Sequence, residues 1–224
     1  MKFTAVAFDL DGTLYHDFSL FVRLVPFLLK HQRLLRAMGR ARDVLREEGS
    51  YEGDFYATQA RLMGESLGEP AEIVMEKTER LIYRGWEPYF KAIRLFPHVT
   101  ETLENFRKAG IKMGMLSDFP PETKLANMKI DGYFETIVCS EMAGRLKPAT
   151  LPFMELALRM KTEPRNILYV GNSVSYDVEG ARKAGMKTAL VCSAWRKNLL
   201  RTGKRSGADF CFSDYRQLND YVLS

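Results

Sequence analysis

Phe3-Thr4-Ala5-Val6-Ala7-Phe8-Asp9-Leu10-Asp11-Gly12-Thr13 begins as a short apolar run and ends on two acids and a glycine. That order predicts a buried strand stopping at a functional loop, because a strand covered on both faces is apolar throughout and its exit must be polar and able to turn. The same unit recurs downstream. Ile111 to Leu116 runs into Ser117-Asp118, Thr136 to Cys139 into Ser140-Glu141, and Ile167 to Val170 into Gly171-Asn172. Thr188 to Cys192 reads as a fifth strand and Asp209 to Phe212 as a short sixth.

Helical patterns lie between these runs. Val99, Leu103 and Phe106 mark one face of a helix introduced by Pro97 and ended by Gly110. Lys124 to Met128, Phe153 to Met160, Tyr176 to Ala184 and Tyr215 to Leu223 supply the others. Strands alternating with helices predict an α/β fold, a three-layer Rossmann-like core with a parallel sheet. In such sheets a ligand sits beyond the carboxyl ends of the strands. Asp9, Ser117 and Asn172 fall at those ends.

Residues 16 to 95 break the alternation. Leu20, Leu24, Phe27 and Leu28, then Phe55, Leu62, Leu67, Ile73, Leu81 and Ile82, repeat at helical spacing, and no strand pattern occurs among them. The expected organisation is a catalytic core of residues 1–15 and 96–224, with an α-helical cap of residues 16–95 inserted after the first strand.

Composition narrows the class. The 224 residues are 46% hydrophobic and 27% charged, which excludes disorder, collagen and coiled coil and leaves enough chain for an unstapled core. Cys139, Cys192 and Cys211 are too few and too scattered for a disulfide framework or a zinc site, and they read as inert thiols in apolar strands. The most apolar stretch, Phe18 to Leu29, is interrupted by Arg23 and Pro26 and falls short of a membrane span. Met1-Lys2 precedes only a brief apolar run, so no secretory leader is expected and a cytoplasmic location is.

The net charge is +5, and residues 16–46 carry all of it, with seven Lys/Arg (Arg23, Lys30, Arg33, Arg36, Arg40, Arg42, Arg46) against Asp17 and Asp43. A neutral body argues against a nucleic-acid partner and for a small-molecule one. The basic stretch reads first as a solvated helix face. Attraction of a polyanionic or lipid-like phosphate, or contact with an acidic membrane surface, is the less favoured alternative.

Two carboxylates two residues apart at a strand terminus project differently and suit different tasks. Asp9 is placed to attack an electrophile and Asp11 to donate and recover a proton. Like charges so close raise the cost of ionising both, which helps keep one protonated, and a metal ion relieves the remaining repulsion. Gly12 allows a sharp turn, and Thr13 and Ser117 offer hydroxyls to an oxyanion. Lys147 is a point charge suited to phosphate, and Asp177 a hard oxygen ligand suited to magnesium. Asp118 and Glu141 follow strands near the same end, and His16 follows the first loop, where substrate contact is a candidate role. His31 and His98 carry no partner pattern.

Asp9-Leu10-Asp11-Gly12-Thr13, Ser117 after a strand, Lys147-Pro148 before a helix, and Gly171-Asn172-Ser173 with Asp177 resemble the four motifs of the haloacid dehalogenase superfamily. The resemblance, to the phosphatase-type branch with a helical cap, covers about 1–15 and 96–200. It implies a phosphate monoester hydrolase. Asp9 would form an aspartyl phosphate, Asp11 would protonate the leaving oxygen and then activate water, and Ser117 and Lys147 would hold the phosphoryl oxygens beside the Gly12 loop. It also implies Mg2+ bound by the Asp9 carboxylate, the Asp11 carbonyl oxygen and a carboxylate of the fourth motif. There the sequence departs, because Asn172 stands where the family usually has an acid, leaving Asp177 as the carboxylate. An amide oxygen still coordinates magnesium but brings no charge. A phosphomutase or phosphotransferase with the same residues, and a phosphate-binding scaffold with a weakened metal site, remain open; Asp11 argues against dehalogenation.

Overall fold

The computed structural model describes residues 3–47, 53–192 and 206–224. Six strands form one sheet: β1 (Ala5–Phe8), β2 (Lys112–Ser117), β3 (Thr136–Cys139), β4 (Ile167–Gly171), β5 (Lys187–Val191) and β6 (Phe210–Phe212). Their spatial order is β3-β2-β1-β4-β5-β6, and every pairing is parallel. After β3 the chain crosses back over β1 to lay β4 on its other side. The end of β1 is therefore the point where strand order reverses, the crevice in which open α/β sheets bind ligands.

Side-chain alternation builds the layers. Val6 and Phe8 point to one face, with Leu103, Phe106, Met113 and Met115, and join the larger buried cluster. Ala5 and Ala7 point to the other, under Phe153, Leu156 and Tyr169. Of the helices, α1 spans Asp17–Lys30, α2 Gln32–Glu47, α3 Phe55–Leu67, α4 Ala71–Thr78 and α5 Glu87–Phe90. Then follow α6 (Val99–Lys108), α7 (Glu122–Met128), α8 (Thr150–Arg159), α9 (Glu179–Lys183) and α10 (Tyr215–Leu223). The first five all lie between β1 and β2 in sequence; α2, α3 and α4, with a π-helical turn over Glu79–Tyr83, bury a core of their own around Leu34, Met38, Met63, Val74 and Ile82, while Phe90 of α5 joins the larger cluster. The chain leaves and rejoins the sheet side by side, with an antiparallel bridge between Tyr15 and Leu95 and the Phe96 N–H donating to Leu14 at 2.9 Å.

Two sequence expectations need correction. Residues expected as one helix from Tyr176 to Ala184 divide into a wider π-helical turn over Val174–Val178 and then α9. The Ser173 side chain caps this start by accepting from the Tyr176 N–H at 3.2 Å. Cys192 lies just past β5 rather than within a strand and is half-buried, as is Cys211, whereas Cys139 is buried. Among the described residues, no helix is long and apolar enough to cross a membrane.

Opposite faces of α8 set the scale of core packing. Phe153 is fully buried, 4.9 Å from the Tyr169 ring, while Leu158 is 73% exposed. Urea melts should show Phe153→Ala losing about 3–5 kcal/mol, whereas Leu158→Ala should stay within about 0.5 kcal/mol of wild type. Equal losses would contradict the assignment of these faces.

Candidate active site

Asp9 is the first residue past β1, and its N–H continues the ladder to the Val170 carbonyl at 2.9 Å. Its side chain is buried and divided between two partners. Thr13 Oγ1 donates to Oδ2 at 2.6 Å, which the turn at Gly12 (φ 77°) makes possible. Lys147 Nζ donates to Oδ1 at 2.6 Å. The same ammonium donates to Asp177 Oδ1 at 2.8 Å. Asp177 Oδ2 in turn accepts the backbone N–H groups of Asn172 and Ser173 at 3.1 and 3.0 Å. One buried lysine thus joins two buried carboxylates carried by β1 and by the segment after β4.

Burial pushes the Asp9 carboxyl up to about 7; the Lys147 charge opposes this, and the Asp177 charge adds to it. For Lys147, burial favours the neutral amine, but Asp177 and Asp9 override it and raise its pKa well above the ordinary value. The leading carboxylate influence on Asp9 is Asp177, not the nearby Asp11 that sequence proximity pointed to.

Asp11 has a different environment. Lys124 Nζ, on α7, donates to both of its oxygens at 2.6 and 2.8 Å, and the Tyr15 hydroxyl donates to Oδ1. Burial works against its ionisation, but Lys124 and Tyr15 outweigh that and hold the carboxyl below its usual value. Asp11 lines a cavity of about 830 Å³ beneath the helical segment. Gly12, His16 and Asn172 line a second cavity of about 560 Å³ with Phe96 and Tyr215. His16, exposed and packed edge-on against the Phe96 ring at 4.2 Å, is therefore not in the wall shared with Asp11.

Ser117 ends β2, buried, with its hydroxyl accepting from the Phe119 N–H at 3.3 Å. The carboxylate of Asp118 accepts from Arg46 at 2.6 Å and from the Lys147 N–H at 3.2 Å, so it braces the loop that presents Lys147. Arg42 pairs with buried Glu141, which also accepts from the Tyr83 hydroxyl, and lies over the Phe119 ring at 4.1 Å. Arg42 and Arg46 are thus neither a solvated face nor an anion lure. They tie α2 to the loops after β2 and β3. Spacing gave no hint of Lys124 as the partner of Asp11, since 113 residues separate them. Tyr15, four residues beyond Asp11, was the one partner within local reach.

No group of three or more His, Cys, Asp or Glu able to hold a metal occurs among the described residues, and position 172 carries an amide rather than an acid. The available donors (Asp9, Asp177, the Asn172 amide and the Asp11 carbonyl) are nevertheless all hard oxygens, which suits magnesium. Asp9 and Asp177 already converge on one positive charge.

Removing Lys147 should leave two buried carboxylates without a counter-charge. Lys147→Met is expected to lose about 3–5 kcal/mol in urea melts. Adding Asp177→Asn should then recover part of the loss; strictly additive losses would mean that the three groups are not coupled.

A family model of the haloacid dehalogenase-like hydrolases matches residues 3–185. The phosphoglycolate phosphatase of Escherichia coli K12 is 28% identical over 198 residues, covering 80% of this chain and 77% of its own. That of Salmonella typhi is 27% identical over 201 residues, with the same shares covered. Among solved structures, an HAD phosphatase from Thermococcus onnurineus superposes with a TM-score of 0.65 at 20% identity, over 98% of this chain and 97% of that one. An L-2-haloacid dehalogenase from Xanthobacter autotrophicus gives 0.67 at 18%, over 99% of each. At these identities both structures speak for the fold alone. With its four motifs gathered at one end of a parallel sheet and the family model spanning most of its length, the chain belongs to the haloacid dehalogenase-like hydrolases.

Proposed function

We propose that this hydrolase is a magnesium-dependent phosphomonoesterase acting on a small phosphorylated metabolite. The observation that carries the reading is the division of labour between the two carboxylates. Asp9 belongs to the buried ionic cluster, while Asp11 lines the cavity where a leaving group would lie. The phosphoglycolate phosphatase relatives support the same class.

Asp9 Oδ attacks phosphorus, the bond to the leaving oxygen breaks, and Asp11 supplies the proton that oxygen needs. Asp11 in its ionised form then takes a proton from water, which attacks phosphorus and breaks the bond to Asp9, releasing phosphate and restoring the carboxylate. Lys124 and Tyr15 favour the ionised form that this second step uses. Lys147, Ser117, Thr13 and the Gly12 loop hold the phosphoryl oxygens, and Asp118 keeps Lys147 in position. Magnesium, held by Asp9, Asp177, Asn172 and the Asp11 carbonyl, would supply charge neutralisation at the transferring oxygens.

Residues 16–95 act as a cap over a core of residues 1–15 and 96–224, with the paired neck at Tyr15 and Leu95 as the boundary. Capping excludes water from the intermediate until the leaving group has gone.

Phosphate release from an aryl phosphate should require magnesium and stop on chelation. Asp9→Asn should abolish it, and Asp11→Asn should lower kcat about 10²–10⁴-fold. Undiminished release with chelator would remove the metal from the mechanism. Full activity of Asp9→Asn would remove the covalent intermediate.

A further inference from the structure

The cavity that Asp11 lines is apolar over most of its wall. Leu20, Leu24 and Leu28 of α1 face Met63 of α3, with Ile82 and Phe90 completing the enclosure. Phe21 also lines it and is 56% exposed, so the mouth presents an uncovered aromatic side chain. Nearest the catalytic end, Lys124 Nζ lies 5.1 Å from the centre of the Phe90 ring and 5.9 Å from that of Phe119.

The charges in this wall decide what it accepts. Five acids (Asp11, Asp54, Glu79, Glu87 and Glu122) line it against two cations, Arg84 and Lys124. Both cations are already committed. Arg84 pairs with Glu79 and Glu87 at 2.9 and 3.2 Å, and Lys124 pairs with Asp11. A substrate with a second anionic group, such as a carboxylate, would enter an acidic wall with no spare counter-charge.

We infer that the substrate is a phosphate monoester whose leaving group is a neutral, largely apolar body the size of a ring or a medium alkyl chain, rather than a compact carboxylated phosphate. This rests on the phosphomonoesterase reading for the reacting end. The apolar body fills the wall from Phe119 towards Phe21, and its ester oxygen lies beside Asp11. A volume of about 830 Å³ falls within the range of pockets that enclose small organic ligands.

Two measurements on the full chain test this. The first is kcat/KM with magnesium for ethyl, butyl and hexyl phosphate, for 2-phosphoglycolate and for phosphocholine, with Asp9→Asn as blank. Each buried methylene can contribute up to about fourfold, so the rise from ethyl to hexyl should be tenfold or more, with phosphoglycolate and phosphocholine below hexyl. The second is calorimetric binding of octylphosphonate against methylphosphonate, which needs no turnover. Octylphosphonate should bind at least tenfold tighter, and Leu28→Asp should narrow that ratio. The milder Leu24→Ala should narrow it too if the first variant folds poorly.

Turnover that is flat with chain length, or best with phosphoglycolate or phosphocholine, would overturn the inference and leave the phosphatase reading intact. Octylphosphonate preference without hydrolysis of any ester would do the reverse. Equal binding of both phosphonates and no hydrolysis would sink both.

Discussion

The buried ionic cluster at the end of β1 depends on one ammonium group. Lys147 lies buried between Asp9 and Asp177, and among the described residues no other cation pairs with either carboxylate. Charges this far from water are tolerated only when paired and fully hydrogen-bonded. Asp9 accordingly accepts from Thr13 as well as Lys147, and Asp177 from the Asn172 and Ser173 N–H groups as well as Lys147. This requirement reaches into the fold. The end of β1 and the segment after β4 must meet in register, as the parallel pairing of Ala5–Phe8 with Ile167–Val170 ensures. The loop carrying Lys147 must be held from outside, as Asp118 does by accepting its N–H.

The legible part of the sequence was what repeats or clusters locally. Six apolar runs ending in polar residues announced the sheet, and Asp9, Lys147 and Asp177, picked out from short motifs, meet in one buried cluster, because strand ends and short motifs are encoded by neighbouring residues. Relations between distant residues were not legible. Lys124 reads as an ordinary first-turn lysine of α7 until the fold brings it to Asp11. Glu141 reads as a loop acid until Arg42 arrives from 99 residues upstream. The two acids sit side by side in the sequence, whereas the pKa of each follows its own burial and its own lysine, Lys147 for Asp9 and Lys124 for Asp11.

Five of the seven cations of the basic stretch (Arg23, Lys30, Arg33, Arg36 and Arg40) are exposed, as a solvated helix face requires, whereas Arg42 and Arg46 meet Glu141 and Asp118 on the sheet side. Both arginines also lie over aromatic rings, Arg42 at Phe119 and Arg46 at Tyr176, so planar stacking adds to the ion pairs. Arg46 donates besides to the Lys147 carbonyl at 3.0 Å. The helical segment is thereby coupled to the residue that organises the catalytic end, and any displacement of α2 is felt at the Lys147 loop.

Asn172 follows from the same arithmetic of charge. An acid at that position would add a third carboxylate beside Asp177, which already accepts the Asn172 N–H, against one lysine. With asparagine, the cluster carries two negative charges and one positive, and its backbone N–H still holds Asp177. The neutral residue lowers the pull on a divalent ion but also lowers the repulsion that Lys147 must offset when no ion is bound. Affinity for a divalent ion and stability of the cluster without one thus make opposite demands on this position.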